Sequence, residues 1–298
     1  MTPTQGNDSI DGTVGDDTID GLGGSDTING LGGNDSLIGS DNRDSLTGGG
    51  GADTLLGDLD RDWLYGMGGN DYIDGGVHND LIDGGPGWDM LIGGFGQDTI
   101  YGGSGMDTLE GGADYDYLYG DEGDDSIDSG DGGSFINGGD GSDIIVGGAG
   151  RDRIKTGLGD DTVYGGDGND SIYGNIGDQL IYGGAGKRDA INGRGGNDTI
   201  YGEGGSDVIW GGTGEDSLFG DSGDNYLYGE DGNDTLTGGE NFDRLSGGDG
   251  DDYLSGGFGG DWLYSGAGVD TVFGGNANDH IYPVDSASTV TSPETLDG

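Results

Sequence analysis

Residues 93–119 read GGFGQDTIY, GGSGMDTLE and GGADYDYLY, three nine-residue units set end to end. Each opens with Gly-Gly, places Asp sixth (Asp98, Asp107, Asp116) and an aliphatic residue eighth (Ile100, Leu109, Leu118). The third departs at one place, with Asp114 where its neighbours carry Gly96 and Gly105. Whether this is a true repeat or an accident of a glycine-rich chain decides what the molecule can be.

Composition by itself points to disorder. Leu, Ile, Val and Phe supply only 56 of 298 residues and the formal net charge is −50, so little apolar surface is available to offset chain entropy. Gly and Pro add 83 residues, which has the same meaning unless the glycines are periodic. Here they are. Working outward from Asp98, the frame holds at intervals of nine back to Asp8 and forward to position 179. One extra residue within Gly183–Asp189 shifts it, and it then runs from Asp189 to Asp279. The chain carries 31 copies, with Ile, Leu or Val eighth in all of them. The sixth position is Asp in 28, the exceptions being Ser134, Gln179 and Asn225.

The unit G-G-x-G-x-D-x-U-x, with U aliphatic, resembles the nonapeptide of the RTX (haemolysin-type) calcium-binding family of secreted bacterial proteins. The resemblance runs from about Gly6 to Tyr282. It implies an all-β fold, a right-handed parallel β-roll (a β-solenoid) with two nonapeptides per turn and calcium held between stacked loops. The residues agree on their own terms. In x-U-x only the middle residue is apolar as a rule, which suits a three-residue strand with one inward side chain. No single repeat can bury that residue, so turns must stack, about 15 of them at two copies each. The expected division is a lead at 1–5, the roll at 6–282 and a Ser/Thr-rich tail at 283–298.

The candidate metal ligands are the sixth-position aspartates. These are Asp8, Asp17, Asp26, Asp35, Asp44, Asp53, Asp62, Asp71, Asp80, Asp89, Asp98, Asp107, Asp116 and Asp125, then Asp143, Asp152, Asp161 and Asp170. After the slip come Asp189, Asp198, Asp207, Asp216, Asp234, Asp243, Asp252, Asp261, Asp270 and Asp279. With no Cys, and with His78 and His280 at unrelated repeat positions, the donor set is oxygen only. That selects a hard cation, and flexible loops favour Ca2+ over the stricter octahedron of Mg2+. Stacking also sets like carboxylates at strand spacing, which is repulsive unless a cation intervenes. One ion between successive loops on each edge gives at most about 29 ions, whose charge would roughly balance the −50.

The two edges differ. Numbering from Asp8, the fourth position departs from Gly at Asn42, Asp60, His78, Asp114, Asn241 and Ala277, all in odd copies. Asn, Asp and His best tolerate left-handed backbone geometry, so the turn is expected to keep its shape there. Of nine Lys and Arg, only Arg194 lies in an even copy. The even column of sites is expected to be near-complete, broken at Gln179. The odd one is expected to weaken around copies five to nine and near Ser134 and Asn225. Outward aromatic pairs, Trp63/Tyr65, Tyr117/Tyr119, Tyr226/Tyr228 and Trp262/Tyr264, also fall in odd copies. Cross-strand packing accounts for them, and they are also candidates for contact with a glycan or a cell surface.

The sequence is read as no enzyme. It has no HExxH, GxSxG, Cys nucleophile or P-loop, and its GxGxxD loops belong to the repeat. Its acidity argues against nucleic acid as partner. No segment approaches the roughly 20 apolar residues of a membrane span. MTPTQ offers no cleavable signal, which fits the type I secretion machinery that the resemblance implies as a partner, and an extracellular destination. The function expected is a calcium-binding repeat protein that folds on binding many ions, with a structural, matrix or adhesive role. Alternatives are a repeat fragment of a larger secreted toxin or enzyme (protease, lipase, epimerase) and, more remotely, an ice-binding solenoid. The last draws on Ser or Thr before U in 10 of 15 even copies.

Overall fold

The computed structural model describes residues 3–282 and 288–291. Two compact units, Met1–Ala149 and Gly150–Gly298, are built alike. Among the described residues the strands pair in parallel, and within each unit odd copies pair with odd and even with even. In the first unit Leu46 lies beside Leu64 and Leu64 beside Ile82, while Leu37 lies beside Leu55 and Ile73 beside Leu91. In the second, Leu227 pairs with Leu245 and Leu236 with Leu254. The offset of two nonapeptides makes each turn of the coil two repeats, as expected, and the described residues contain no helix. Each unit is an all-β solenoid with parallel strands, and the chain carries about 15 turns in all.

The core of each unit is its column of eighth-position side chains. From Ile28 to Val272 each is fully or almost fully buried. Ile19 and Ile281 are only half-buried; they sit at the end of their respective ladders, where one neighbour is missing. A buried Leu or Ile contributes about 1.5–3 kcal/mol, but only once the turn beside it is in place, so the strands cannot be stable singly. Most strands run six residues, as in Thr99–Ser104, with alternate residues buried. The strand thus crosses from one copy into the next and buries the first glycine of the following turn.

The frame slip is absorbed locally. Ile172 pairs with Ile191 and Ile181 with Ile200, an offset one residue longer than elsewhere. The extra residue sits at the fifth position, where the Lys187 and Arg188 amides both donate to Oδ1 of Asn169, at 2.9 and 3.2 Å. Past the last counted copy, Thr289–Thr291 forms one more strand, paired with Thr271–Phe273 in the same register. Apart from Ser288, the rest of the expected tail lies outside the described residues.

The turns use left-handed backbone at two places. All six fourth-position substitutions have it, from Asn241 at φ 73° to His78 at φ 89°, so the turn keeps its shape as expected. The second position is left-handed too; it is Gly in most copies, but in some it is a residue that adopts this backbone against its preference, among them Leu22, Met67, Arg194 and Glu230. The sequence pattern did not announce this, because bulky residues are poor markers of positive φ.

Candidate metal centres

The first-position glycine has a different reason to be glycine. At Gly84 and Gly102 the backbone is not left-handed, but an added Cβ has no room. At Gly84 it would lie 2.5 Å from Oδ2 of Asp89 and 2.7 Å from the Gly102 carbonyl oxygen. At Gly102 it would lie 2.8 Å from Oδ2 of Asp107 and 2.6 Å from the Gly120 carbonyl. In these loops, therefore, a carboxylate oxygen and a carbonyl of the next turn converge on a spot kept clear of side chains.

The sixth-position carboxylates form a ladder. The amide of Asp62 donates to Oδ1 of Asp80 at 2.7 Å, Asp80 to Asp98 at 2.7 Å and Asp98 to Asp116 at 2.8 Å. On the other edge the amide of Asp71 donates to Asp89, and Asp89 to Asp107. The second unit repeats this, from Asp189 to Asp207 and from Asp216 to Asp234. One oxygen of each aspartate is thus committed to joining turns. The other is not: from Asp26 to Asp125 and from Asp170 to Asp261, every sixth-position Asp has a buried Oδ2 with no hydrogen-bond donor.

Burying a carboxylate oxygen without a partner is costly, and the cost shows in the acidities. Burial pushes Asp62 and Asp80 up to about 8, and Asp89, Asp116 and Asp125 to about 7. The ladder N–H opposes the shift in each case, and the neighbouring carboxylates add to it. The fourth-position substitutions on the odd edge sharpen this field. Behind burial, the charge of Asp60 raises Asp44 and Asp62, and that of Asp114 raises Asp98 and Asp116. Arg61, whose Nε donates to the Asn79 carbonyl at 2.8 Å, works the other way on Asp80. It does not cancel the effect of burial.

These residues fit a bound cation. The unpaired Oδ2 atoms need positive charge, the adjacent carbonyls are oxygen donors, and the glycine cradle leaves space beside them. Among the described residues no three carboxylate or imidazole side chains gather at one point. Each ion would then be held by few carboxylates and mostly by carbonyls, the donor set that suits Ca2+.

Not all candidate aspartates stand alike. Asp8 and Asp17 are half-exposed, and their Oδ2 atoms are already engaged by Thr4 and Thr13 of their own loops. The hydroxyl contacts are 2.9 Å in both, and the Thr amides donate as well. Asp270, at the other end, accepts from the Ser288 hydroxyl at 3.1 Å. The rest of the column down to Asp261 is buried.

A second ladder at the fifth position escaped the sequence reading. The amides of Ala52, Gln97, Asn197 and Asp251 donate to Oδ1 of Asn34, Asn79, Asp178 and Asn233 in the preceding turn. It runs opposite to the aspartate ladder, so the two clamp each pair of loops from both sides. The recurrence of Asn and Asp just before the ligand position was the available signal.

The aromatic candidates take the expected outward positions. Trp63, Tyr117, Tyr226 and Trp262 are exposed, and Tyr65, Tyr119, Tyr228 and Tyr264 are half-buried beside buried leucines. Arg244 lies over the ring of Tyr264 at 4.8 Å and of Trp262 at 5.9 Å. The longest stack, however, lies in even copies. Tyr164, Tyr182, Tyr201 and Phe219 follow one another with centroids 4.8–5.1 Å apart and planes within 9°. A search for aromatics flanking U on both sides overlooks it, because each of these strands carries a single ring after U.

A family model described as the RTX calcium-binding nonapeptide repeat (4 copies) matches the chain in twelve stretches, from residues 3–37 to residues 246–281. None of the curated proteins compared with the chain matches it. Among the described residues no helix is long and apolar enough to cross a membrane.

Proposed function

This chain belongs to the RTX calcium-binding nonapeptide-repeat family, and from that premise we propose that it is an extracellular, calcium-loaded solenoid with a structural or adhesive role. The observation that carries the reading is the column of buried, donorless Oδ2 atoms. A bound Ca2+ supplies the positive charge that those oxygens lack. The chain's own residues do the rest. Oδ1 of each ladder aspartate fixes the turn before it, Oδ2 and the neighbouring carbonyls hold the ion, and the first-position glycine keeps the cradle open.

Folding and loading are then one event. In a compartment poor in calcium, the acidic chain repels itself and its thin core cannot offset the entropy of ordering. Where calcium is plentiful, ions that bind only the folded coil draw the equilibrium toward it by mass action. Stacked sites make the transition cooperative, because each turn orders the next. An unfolded, acidic chain inside and a folded one outside also suits export through the type I secretion machinery. In each unit the outward aromatics, Trp63 and Tyr117 in the first and Tyr226 and Trp262 in the second, are the side chains on which a glycan or cell-surface partner would dock.

The test is a calcium titration of chelator-treated protein followed by far-UV circular dichroism. The expected result is a steep gain of β-structure, with a midpoint in the range of extracellular calcium modules, about 10⁻⁴–10⁻³ M. A chain already fully β-structured in EDTA overturns the coupling.

A further inference from the structure

Three copies lack the sixth-position aspartate, and each of them places a neutral donor on a loop carbonyl. In the copy of Asn225, the amide nitrogen Nδ2 donates to the Gly223 carbonyl at 3.2 Å. In that of Gln179, Nε2 donates to the Gly159 carbonyl at 2.8 Å. In that of Ser134, the first-position glycine has become Ser129, whose hydroxyl donates to the Gly147 carbonyl. All three donor residues are buried, none more than 2% exposed.

Asn225 shows the substitution atom by atom. Its Oδ1 accepts the Asp207 amide at 2.9 Å, and its own amide donates to Oδ1 of Asp243 at 2.8 Å, so the ladder runs through it unchanged. With Oδ1 fixed by that bond, the nitrogen is placed at the other branch. An added Cβ on Gly220 would lie 2.7 Å from Nδ2, as one on Gly84 would lie 2.5 Å from the Oδ2 of Asp89. The one atom that changes is therefore the one that elsewhere lacks a donor. A carboxylate oxygen awaiting positive charge becomes an N–H group that supplies it.

Gln179 is longer and reaches farther. Its backbone amide keeps the ladder bond to Asp198 at 2.8 Å and its Nε2 crosses to the carbonyl of the preceding turn, but its Oε1 stays buried without a donor, as the Asp Oδ2 atoms do. In the Ser129/Ser134 copy the roles are divided. The Ser134 hydroxyl accepts the Asp116 amide at 3.2 Å, and Ser129 supplies the donor from the first position. A first-position hydroxyl is not sufficient to mark such a level, since Thr156 and Ser265 stand beside retained Asp161 and Asp270.

We propose that the levels of Asn225 and Ser129/Ser134 are metal-free staples, where an amide or hydroxyl proton takes the place of the cation. The inference rests on the calcium reading and adds to it: the columns are built with fixed interruptions that need no ion, the Ser129 donor reaching a neighbouring turn and the Asn225 donor closing its own loop.

The test is Asn225→Asp in the full chain, read by native mass spectrometry for bound Ca2+ and by hydrogen exchange in EDTA. The variant is expected to carry about one more ion than wild type, and to lose amide protection in EDTA near residues 207–243. An unchanged ion count, or unchanged protection in EDTA, overturns the staple. The reverse variant, Asp234→Asn, covers the case in which Asn225→Asp does not fold. It is expected to carry about one ion fewer and to gain protection around residues 216–252, and an unchanged ion count again overturns the proposal. A wild-type chain that binds no Ca2+ would overturn the calcium reading itself, whereas a wild type that loads and variants that match it sink only the staple.

Discussion

The amide of Asp98 donates to Oδ1 of Asp116 across 2.8 Å, while Oδ2 of the same carboxylate is buried without a donor. The two oxygens therefore have separable duties, one joining turns and one facing the metal. Asp116→Asn keeps the joining oxygen and removes the ligand charge. Asp116→Ala removes both and leaves the Asp98 amide unpaired in the interior, which costs about 1–3 kcal/mol more. In saturating calcium both variants should melt below wild type, with the Ala variant the lower. Equal melting temperatures for the two would remove the division of labour.

The glycines should respond to alanine according to their place in the turn. At Gly102 the new Cβ meets the Gly120 carbonyl at 2.6 Å and Oδ2 of Asp107 at 2.8 Å, and backbone cannot move aside cheaply. At Gly50, third in its copy, nothing lies within 4 Å. Gly102→Ala is expected to cost about 1–3 kcal/mol through overpacking and to raise the calcium midpoint. Gly50→Ala should be neutral or stabilise by about 0.4–1 kcal/mol through the unfolded chain. A thermal melt of each in calcium checks the pair.

The period-nine placement of Asp and U made the architecture legible before any coordinates, because position in a solenoid follows directly from position in the repeat. The left-handed fourth position was legible too, since Asn42, Asp60, His78 and Asp114 are among the residue types that tolerate it. Less legible was anything that depends on which atom of a side chain is used. Nothing in the letter D says that Oδ1 of Asp80 is committed to the Asp62 amide, or that Oδ2 of Asp8 is committed to Thr4. The second-position residues were hidden for another reason. Leu22 and Met67 adopt positive φ against their own preference, imposed by the turns stacked around them.

Acid should help the metal-free coil and hinder the loaded one. Burial raises Asp62 and Asp80 to about 8 and Asp89 and Asp125 to about 7, against an unfolded value near 3.8. Between those limits the folded chain holds more protons than the unfolded one, so its stability falls as pH rises through that window. Below about 4 both states are protonated and the penalty is absent; above about 8 it is fully present. In EDTA, β-structure should therefore increase as the pH is lowered from 8 toward 5. With calcium the sign reverses, because protons compete for the ligand oxygens and the calcium midpoint rises. Circular dichroism in EDTA that is flat across this window would contradict the buried, uncompensated carboxylates.

Stacked and exposed aromatics should separate by what their loss does. Tyr182 lies between Tyr164 and Tyr201 with both centroids 5.1 Å away and planes within 7°, so its faces are spent on its neighbours. Tyr182→Ser removes two such pairs, each worth about 0.5–1.5 kcal/mol, and should lower the melting temperature without changing the number of ions bound. Trp63 and Trp262, each in an odd copy of its own unit, are by contrast exposed. Trp63→Ser combined with Trp262→Ser should leave calcium loading intact while abolishing retention on cell-surface glycan arrays. Retention equal to wild type on every surface that binds the parent would remove these two side chains from the docking surface.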